Sequence, residues 1–355
     1  MNVALVFNLR EESVADDEPP AEPPGSSATD IYAEWDDIHT ISAISDALAT
    51  RHRVTRINAD LDAFAKLRSL RPDLVFNIAE GLHGSSREAQ IPAMLEMLQI
   101  PYTGSDPVTL GLCLDKQRTK EILKQHRIPT PRFWTLSSVF AIPRNLRYPL
   151  IVKPCLEGSS KGVTDSALVR DRKALVRQIE WIATTYGQKA IIEEFLPGRE
   201  FTVALLGNGS DLQVLPIVEI DFSTLPAGAN PIYSYEAKWL WDTEKEPLEI
   251  FSCPAPLEPF LQQQIEHLCR RAFHALGCRD WCRIDVRLDR AGRPQIIEMN
   301  PLPGILPRPE QNSCFPKAAR AAGLSYTDLV LRVVETASQR CQLVGERQDE
   351  SRCLL

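Results

Sequence analysis

Arg283-Ile-Asp-Val-Arg-Leu-Asp289, followed nine residues on by Glu298-Met-Asn300-Pro-Leu-Pro-Gly304, is the stretch on which the reading of this chain turns. In the first segment Ile284, Val286 and Leu288 fall on one face and Arg283, Asp285 and Arg287 on the other, the alternation of a half-buried β-strand. Ala291-Gly292-Arg293 supplies a turn, and Pro294 to Asn300 reads as the returning strand of a hairpin. Pairing the strands gathers Asp285, Glu298 and Asn300 as three oxygen donors. Hard divalent ions such as Mg²⁺ are held by one or two carboxylates together with substrate phosphates. Taken alone, the hairpin is equally compatible with two carboxylates that are merely solvated at a sheet edge.

Working outward, Tyr148–Pro154 reads as an apolar strand closed by Lys153, and an unpaired lysine is rarely buried. Glu157-Gly-Ser-Ser-Lys-Gly-Val163 follows as a glycine-serine turn, whose small residues would let backbone N–H groups approach a phosphate. Lys116 precedes this unit and Lys238 follows it; singly, each reads as well as a snorkelling surface lysine. Glu193-Glu-Phe195-Leu196-Pro-Gly-Arg-Glu200 joins two strands, Ala190–Phe195 and Glu200–Leu206. Extended backbone with an acceptor suits an adenine, and an acid a few positions on suits ribose hydroxyls.

Residues 1 to about 112 alternate strands (Val3–Phe7, Val54–Ile57, Leu74–Ile78) with helical rhythms (Asp37–His52, Glu88–Leu98), as in an open α/β sheet. Ligands of such sheets sit beyond the carboxyl ends of the strands, where Ala79-Glu80-Gly-Leu-His83-Gly-Ser-Ser86 lies. Leu9–Ser27 is acidic and proline-rich and reads as a mobile loop. Further helices are expected at Asp115–His126, Asp171–Tyr186, Leu257–Leu276 and Tyr326–Ala337, with a polar tail over 341–355.

The length, 355 residues, implies two or three compact units. A net charge of −7 argues against a general nucleic-acid binder, which would carry a basic stripe. No apolar run approaches the roughly 18 residues of a membrane span, and the chain opens on a strand-like run rather than a signal peptide. Nine scattered cysteines without a C-x-x-C pair indicate neither zinc nor a disulfide framework, as expected of a reduced, cytoplasmic protein.

The order of these features, with Tyr102-Thr-Gly-Ser105, Leu114-Asp-Lys116, Tyr235-Glu-Ala-Lys238, Cys253-Pro-Ala255 and Phe315-Pro-Lys-Ala-Ala319, resembles the D-alanine–D-alanine ligase branch of the ATP-grasp superfamily over roughly residues 70–335. The resemblance implies an ATP-grasp fold, α/β overall and α+β in its C-terminal part. A Rossmann-like N-terminal domain (1–112) would precede a central subdomain (113–200) and a C-terminal subdomain with the metal site (201–340). By the same resemblance Lys116 and Lys153 contact ATP phosphates under the Ser159/Ser160 loop, Glu193 and the Phe195-Leu196 backbone hold adenine, and Glu200 holds ribose. Lys238 reaches the γ-phosphate. Asp285, Glu298 and Asn300 ligate two Mg²⁺, with Mn²⁺ as an alternative, and Arg283 stabilises the oxyanion. Ser313 and Gly304 hold the carboxylate of the amine substrate. Small-molecule substrates and a homodimer are implied as partners.

The chain departs from that pattern where the first substrate would bind. Asn8-Leu-Arg-Glu-Glu12 replaces the glutamate-bearing turn after the first strand, Trp239 stands in place of a tyrosine, and Gly84-Ser-Ser-Arg87 replaces an acidic turn. Indole donates but cannot accept a hydrogen bond. No ammonium acceptor is evident, so the expected first substrate is another acid, with Glu80, His83 and Trp239 near it. Mycosporine-glycine joined to an amino acid such as serine fits that description. A true D-alanine–D-alanine ligase is the alternative, and a non-catalytic ATP-binding regulatory protein a distant one.

Overall fold

The structure, a computed structural model, describes residues 1–10, 30–242 and 248–343. It opens with three parallel strands in the order β2-β1-β3: β1 (Asn2–Phe7), β2 (Arg53–Asn58) and β3 (Leu74–Asn77). Parallel neighbours require crossovers, which the helices Ile38–Ala49 and Ala63–Leu70 provide. Asp37 starts the first by accepting from the Thr40 N–H at 2.7 Å, and Ile41, Ile44 and Leu48 on its inner face are fully buried.

A second, antiparallel sheet follows, in the order β4-β7-β5-β6: β4 (Phe133–Leu136), β5 (Leu150–Pro154), β6 (Leu168–Val169) and β7 (Ala190–Glu194). The helix Arg172–Tyr186 covers it, capped by Asp171 and stopped at Gly187, whose φ of +63° costs a glycine little. The third sheet runs β11-β10-β8-β12-β13, with β9 on β8. It comprises β8 (Glu200–Leu206), β9 (Gln213–Val214), β10 (Val218–Ile220), β11 (Phe251–Ser252), β12 (Trp281–Leu288) and β13 (Pro294–Asn300).

The helix Pro259–Ala275 packs on one face of the third sheet, sharing a core with Phe201, Ile284, Val286 and Ile296. Its other face joins the N-terminal sheet. Trp281, with no exposed surface, meets Phe76 edge-on at 5.7 Å and Phe315 at 5.8 Å, in a core that also takes in Val3, Leu5, Leu329 and Val333. One face of the N-terminal strands therefore packs into the C-terminal sheet, while the other, with Ala4, Val6 and Val75, builds a separate core with Leu67, Ile91 and Leu95 of its own helices. This α/β architecture brings the carboxyl end of β3, the Gly-Ser turn after β5 and the β12–β13 hairpin towards one region.

Several boundaries differ from the sequence reading, for tertiary reasons. The last helix runs to Arg340 rather than Ala337, because Arg340 donates to Asp280 at 2.9 and 2.8 Å and to the Tyr102 carbonyl at 2.7 Å. The helices Ala63–Leu70, Pro107–Leu114 and Cys314–Ala321 and strand β4 were not expected. Each is short, so too few turns or alternations repeat to stand out. The acidic loop from residue 11 onward and the tail from residue 344 lie outside the described residues. Among those described, no helix is long and apolar enough to cross a membrane.

Candidate active site

The hairpin brings its donors together as the pattern required. Asp285 stands directly opposite Glu298 and Arg283 opposite Asn300, with a register shift after Asp285. Like charges facing each other across a ladder are destabilising unless a cation intervenes. Here cations surround them. Arg283 donates to Asp285 through Nε (3.2 Å) and Nη2 (3.1 Å), and Lys116 Nζ lies 2.7 Å from Glu298 Oε1. Asn300 Nδ2 donates to Asp285 Oδ2 at 3.2 Å. Burial would raise the Glu298 carboxyl, but Lys116 and Lys153 overcome it and hold the group at about 2, fully ionised. Among the described residues no three His, Cys, Asp or Glu side chains converge as a self-sufficient metal cage. Two carboxylates and an amide form a hard oxygen set that fits Mg²⁺ when phosphate oxygens complete the shell.

A cavity of about 140 Å³ lies between the second and third sheets beside this hairpin. Lys153 projects into it from β5 and pairs with Glu193 Oε2 of β7 at 3.1 Å. Glu193, 1% exposed, is kept ionised against its burial by Lys120 and Lys153. Lys120 Nζ is 3.3 Å from Oε1 but aims its hydrogen bond at Thr130, so Oε1 lacks a hydrogen-bond donor. Oε1 is itself sealed from the cavity, so what the wall offers an exocyclic amine is the backbone of the Glu194–Leu196 stretch that lines it. Glu200 lines the same cavity and accepts from Arg287 Nη1 at 2.7 Å. Arg287 in turn sits over the rings of Phe195 (4.6 Å) and Phe222 (5.0 Å). Neither Arg287 nor Lys120 was singled out in the sequence; an arginine on the outward face of a strand gives no sign that it will be buried.

The Gly-Ser turn forms the rim between this cavity and a second. Ser159 and Ser160 have φ of +48° and +60°, a strained conformation for residues with a Cβ. Ser160 Oγ donates to the Tyr233 carbonyl at 3.0 Å, and the Trp239 indole donates to the Ser159 carbonyl at 3.2 Å. Trp239 therefore grips the turn directly through its indole N–H. Lys238, on the same short π-helical segment (Ala237–Trp241), lines both cavities; burial and Arg283 lower its ammonium to about 8.

The second cavity, about 160 Å³, extends from Arg283, Glu298 and Asn300 towards the carboxyl end of β3. Gly304 and Ser313 are on its wall, but Ser313 Oγ is engaged twice, accepting from the Leu306 N–H (3.1 Å) and donating to the Gly304 carbonyl (3.3 Å). It fastens the turn of residues 304–313. His83 is exposed and lines neither cavity, because the chain turns outward after Gly81.

The expectation that no ammonium acceptor exists is overturned here. Glu34, Asp36, Glu80 and Glu88 all line the second cavity. Glu34 arrives from a segment far upstream. It receives Arg87 Nη2 at 2.8 Å on both oxygens and the Gly158 N–H at 2.8 Å, beside Lys161. Asp36, Glu80 and Glu88 have no hydrogen bond or salt bridge from the side chain among the described residues. Burial pushes the Asp36 carboxyl up to about 7 and Glu88 up to about 8, and raises Glu80 well above its usual range, with Glu88 adding to it. The sequence hid this because the acids are scattered over residues 34 to 88 with no spacing that marks them.

Comparison with known proteins gives the family. The family described as D-ala D-ala ligase C-terminus matches residues 125–335. The D-alanine–D-alanine ligase of Bordetella pertussis is 37% identical over 279 residues, 78% of this chain and 82% of that protein. An uncharacterized protein, y4sG, of Sinorhizobium fredii is 38% identical over 267 residues, 75% of each chain. The crystal structure of the D-alanine–D-alanine ligase from Bacillus anthracis complexed with ATP superposes with a TM-score of 0.70 at 22% identity, covering 97% of this chain and all of that one. The chain thus belongs to the D-alanine–D-alanine ligase family and is an ATP-grasp ligase that forms carbon–nitrogen bonds.

Proposed function

We propose that the chain joins the carboxylate of one amino acid to the amine of a second at the expense of ATP, as its D-alanine–D-alanine ligase relatives join two D-alanines. The single observation that carries this reading is the set of unpartnered carboxylates in the second cavity, which ends at Arg283 and Glu298. A desolvated ammonium needs such partners. The preference for a cyclic acid such as mycosporine-glycine rested on their absence. With Asp36, Glu80 and Glu88 in place that ground is gone, and the amino-acid reading is the one we adopt.

In this reading Lys116, Lys153 and Lys238 neutralise the phosphates of ATP. Glu193 and the Phe195-Leu196 backbone receive adenine, and Glu200 the ribose. Mg²⁺, held by Asp285, Glu298 and Asn300, would withdraw charge from the phosphate oxygens. A carboxylate oxygen of the first amino acid attacks the γ-phosphorus and the bond to ADP breaks, giving an acyl phosphate. The amine of the second attacks the acyl carbon, loses a proton and expels phosphate. Arg283, half-buried beside the cavity, faces the oxyanion formed in that step; one preorganised donor of this kind is worth about 3–4 kcal/mol. The Ser159 turn, gripped by Trp239, keeps water from the acyl phosphate.

The test is ADP release by the purified chain with Mg-ATP and amino acids, single and paired, with D-alanine as the reference and product mass read alongside. A dipeptide formed in step with ADP is expected. Turnover with a carboxylic acid that lacks an amine, and none with any amino acid, would replace this reading.

A further inference from the structure

The second cavity presents more carboxyl groups than one α-ammonium can engage. Its other charges are matched locally: Arg87 and Lys161 stand against Glu34 and Glu157, Lys116 against Glu298, and Arg283 against Asp285. Asp36, Glu80 and Glu88 remain. Arg10, whose guanidinium lies 6.0 Å from the Trp239 ring, acts on Asp36 through its charge but makes no salt bridge to it. Lys238 faces the phosphate end, where it lines both cavities.

Glu88 is the decisive member. It is 9% exposed, sits on the helical turn Arg87–Ala89, and presents to the cavity a carboxyl group with no hydrogen bond or salt bridge among the described residues. A buried carboxyl left without a partner is completed when a cationic group enters beside it. Residues 11–29 contain acids but no lysine, arginine or histidine, so no cation comes from that stretch of sequence.

Resting on the amino-acid ligase reading, we infer that the first substrate carries a second cationic group, as a diamino acid does, held by Glu80 and Glu88 while Asp36 faces its α-ammonium. The donor's carboxylate then points along the cavity to Arg283 and Glu298, where phosphorylation takes place. The reaction is the one given above, with no additional reactant.

The test is kcat/KM for ADP release with 2,3-diaminopropionate, 2,4-diaminobutyrate, ornithine and lysine as donors, in both hands. Each is compared with a neutral amino acid of matching length, including alanine and norleucine. The best diamino acid is expected to exceed its neutral match by at least about 100-fold, a lower bound on the roughly 10⁴–10⁵-fold by which a site built for a polar group rejects an analogue lacking it. Glu88→Gln and Glu80→Gln are each expected to lower that ratio about tenfold or more, chiefly through KM. Neutral donors used as well as diamino acids by the wild-type enzyme would overturn the inference while leaving the ligase reading intact. So would an unchanged ratio in both folded variants. ADP release with no amino-acid donor at all would remove both.

Discussion

Glu34→Gln tests how the chain anchors its phosphate turn. Glu34, Arg87, Glu157 and Lys161 form a closed set whose side chains are each less than 10% exposed. The substitution keeps the shape and an oxygen for the Gly158 N–H, now at 2.8 Å, but leaves Arg87 and Lys161 to share Glu157. Removing one partner of a buried pair costs about 3–5 kcal/mol. Glu157 still bonds both cations, so we expect about 2–4 kcal/mol. Because 355 residues on three sheets need not unfold as one unit, the readout is amide exchange at residues 158–162 alongside the melting temperature. The opening should be local, and KM for ATP should rise before kcat falls. Lys161→Met alone leaves an unmatched anion, whereas Glu34→Gln with Lys161→Met restores balance. The double variant should recover about 2 kcal/mol relative to the sum of the singles. Simple additivity, or a Glu34→Gln protein within about 0.5 kcal/mol of wild type, would refute the charge-balance argument.

Other outcomes are equally specific. Glu298→Gln or Asn300→Ala should lower turnover at least about 100-fold, with the fold retained by circular dichroism; near-normal activity in both would remove the metal assignment. Asp36 is pushed up to about 7 in the fold against an ordinary value near 4, so the native state holds a proton that the unfolded chain has released between these values. Stability of wild type relative to Asp36→Asn should therefore fall from pH 5 to pH 8, by up to about 2–3 kcal/mol, and level off above; a difference independent of pH would contradict the unpaired state of that carboxylate. Ser313→Ala should raise KM for the amine substrate more than it lowers kcat, since the hydroxyl fastens the 304–313 turn rather than meeting the reacting atoms. An amino-acid amide used as well as the free acid would show that the carboxylate of that substrate is not gripped there.

The sequence by itself determined those parts whose physics is local. Alternation over Arg283–Leu288 and Pro294–Asn300 required a hairpin; the turn's length alone would set Asp285 against Ile297, and the register shift after Asp285 sets it against Glu298. The apolar runs of β1 and β3 required a buried parallel sheet, and a lysine ending the strand Leu150–Pro154 required an anionic neighbour, which proved to be Glu193. Tertiary structure alone decided what the first-substrate pocket is made of. Glu34, Asp36, Glu80 and Glu88 follow no helical or strand period, and each by itself reads as a solvated acid. They meet because the segment from Asp30 packs against the Gly-Ser turn while β3 delivers Glu80 and Glu88 from the other side. Burial changes the chemistry of a carboxylate more than its identity does, and burial is a property of the packed chain.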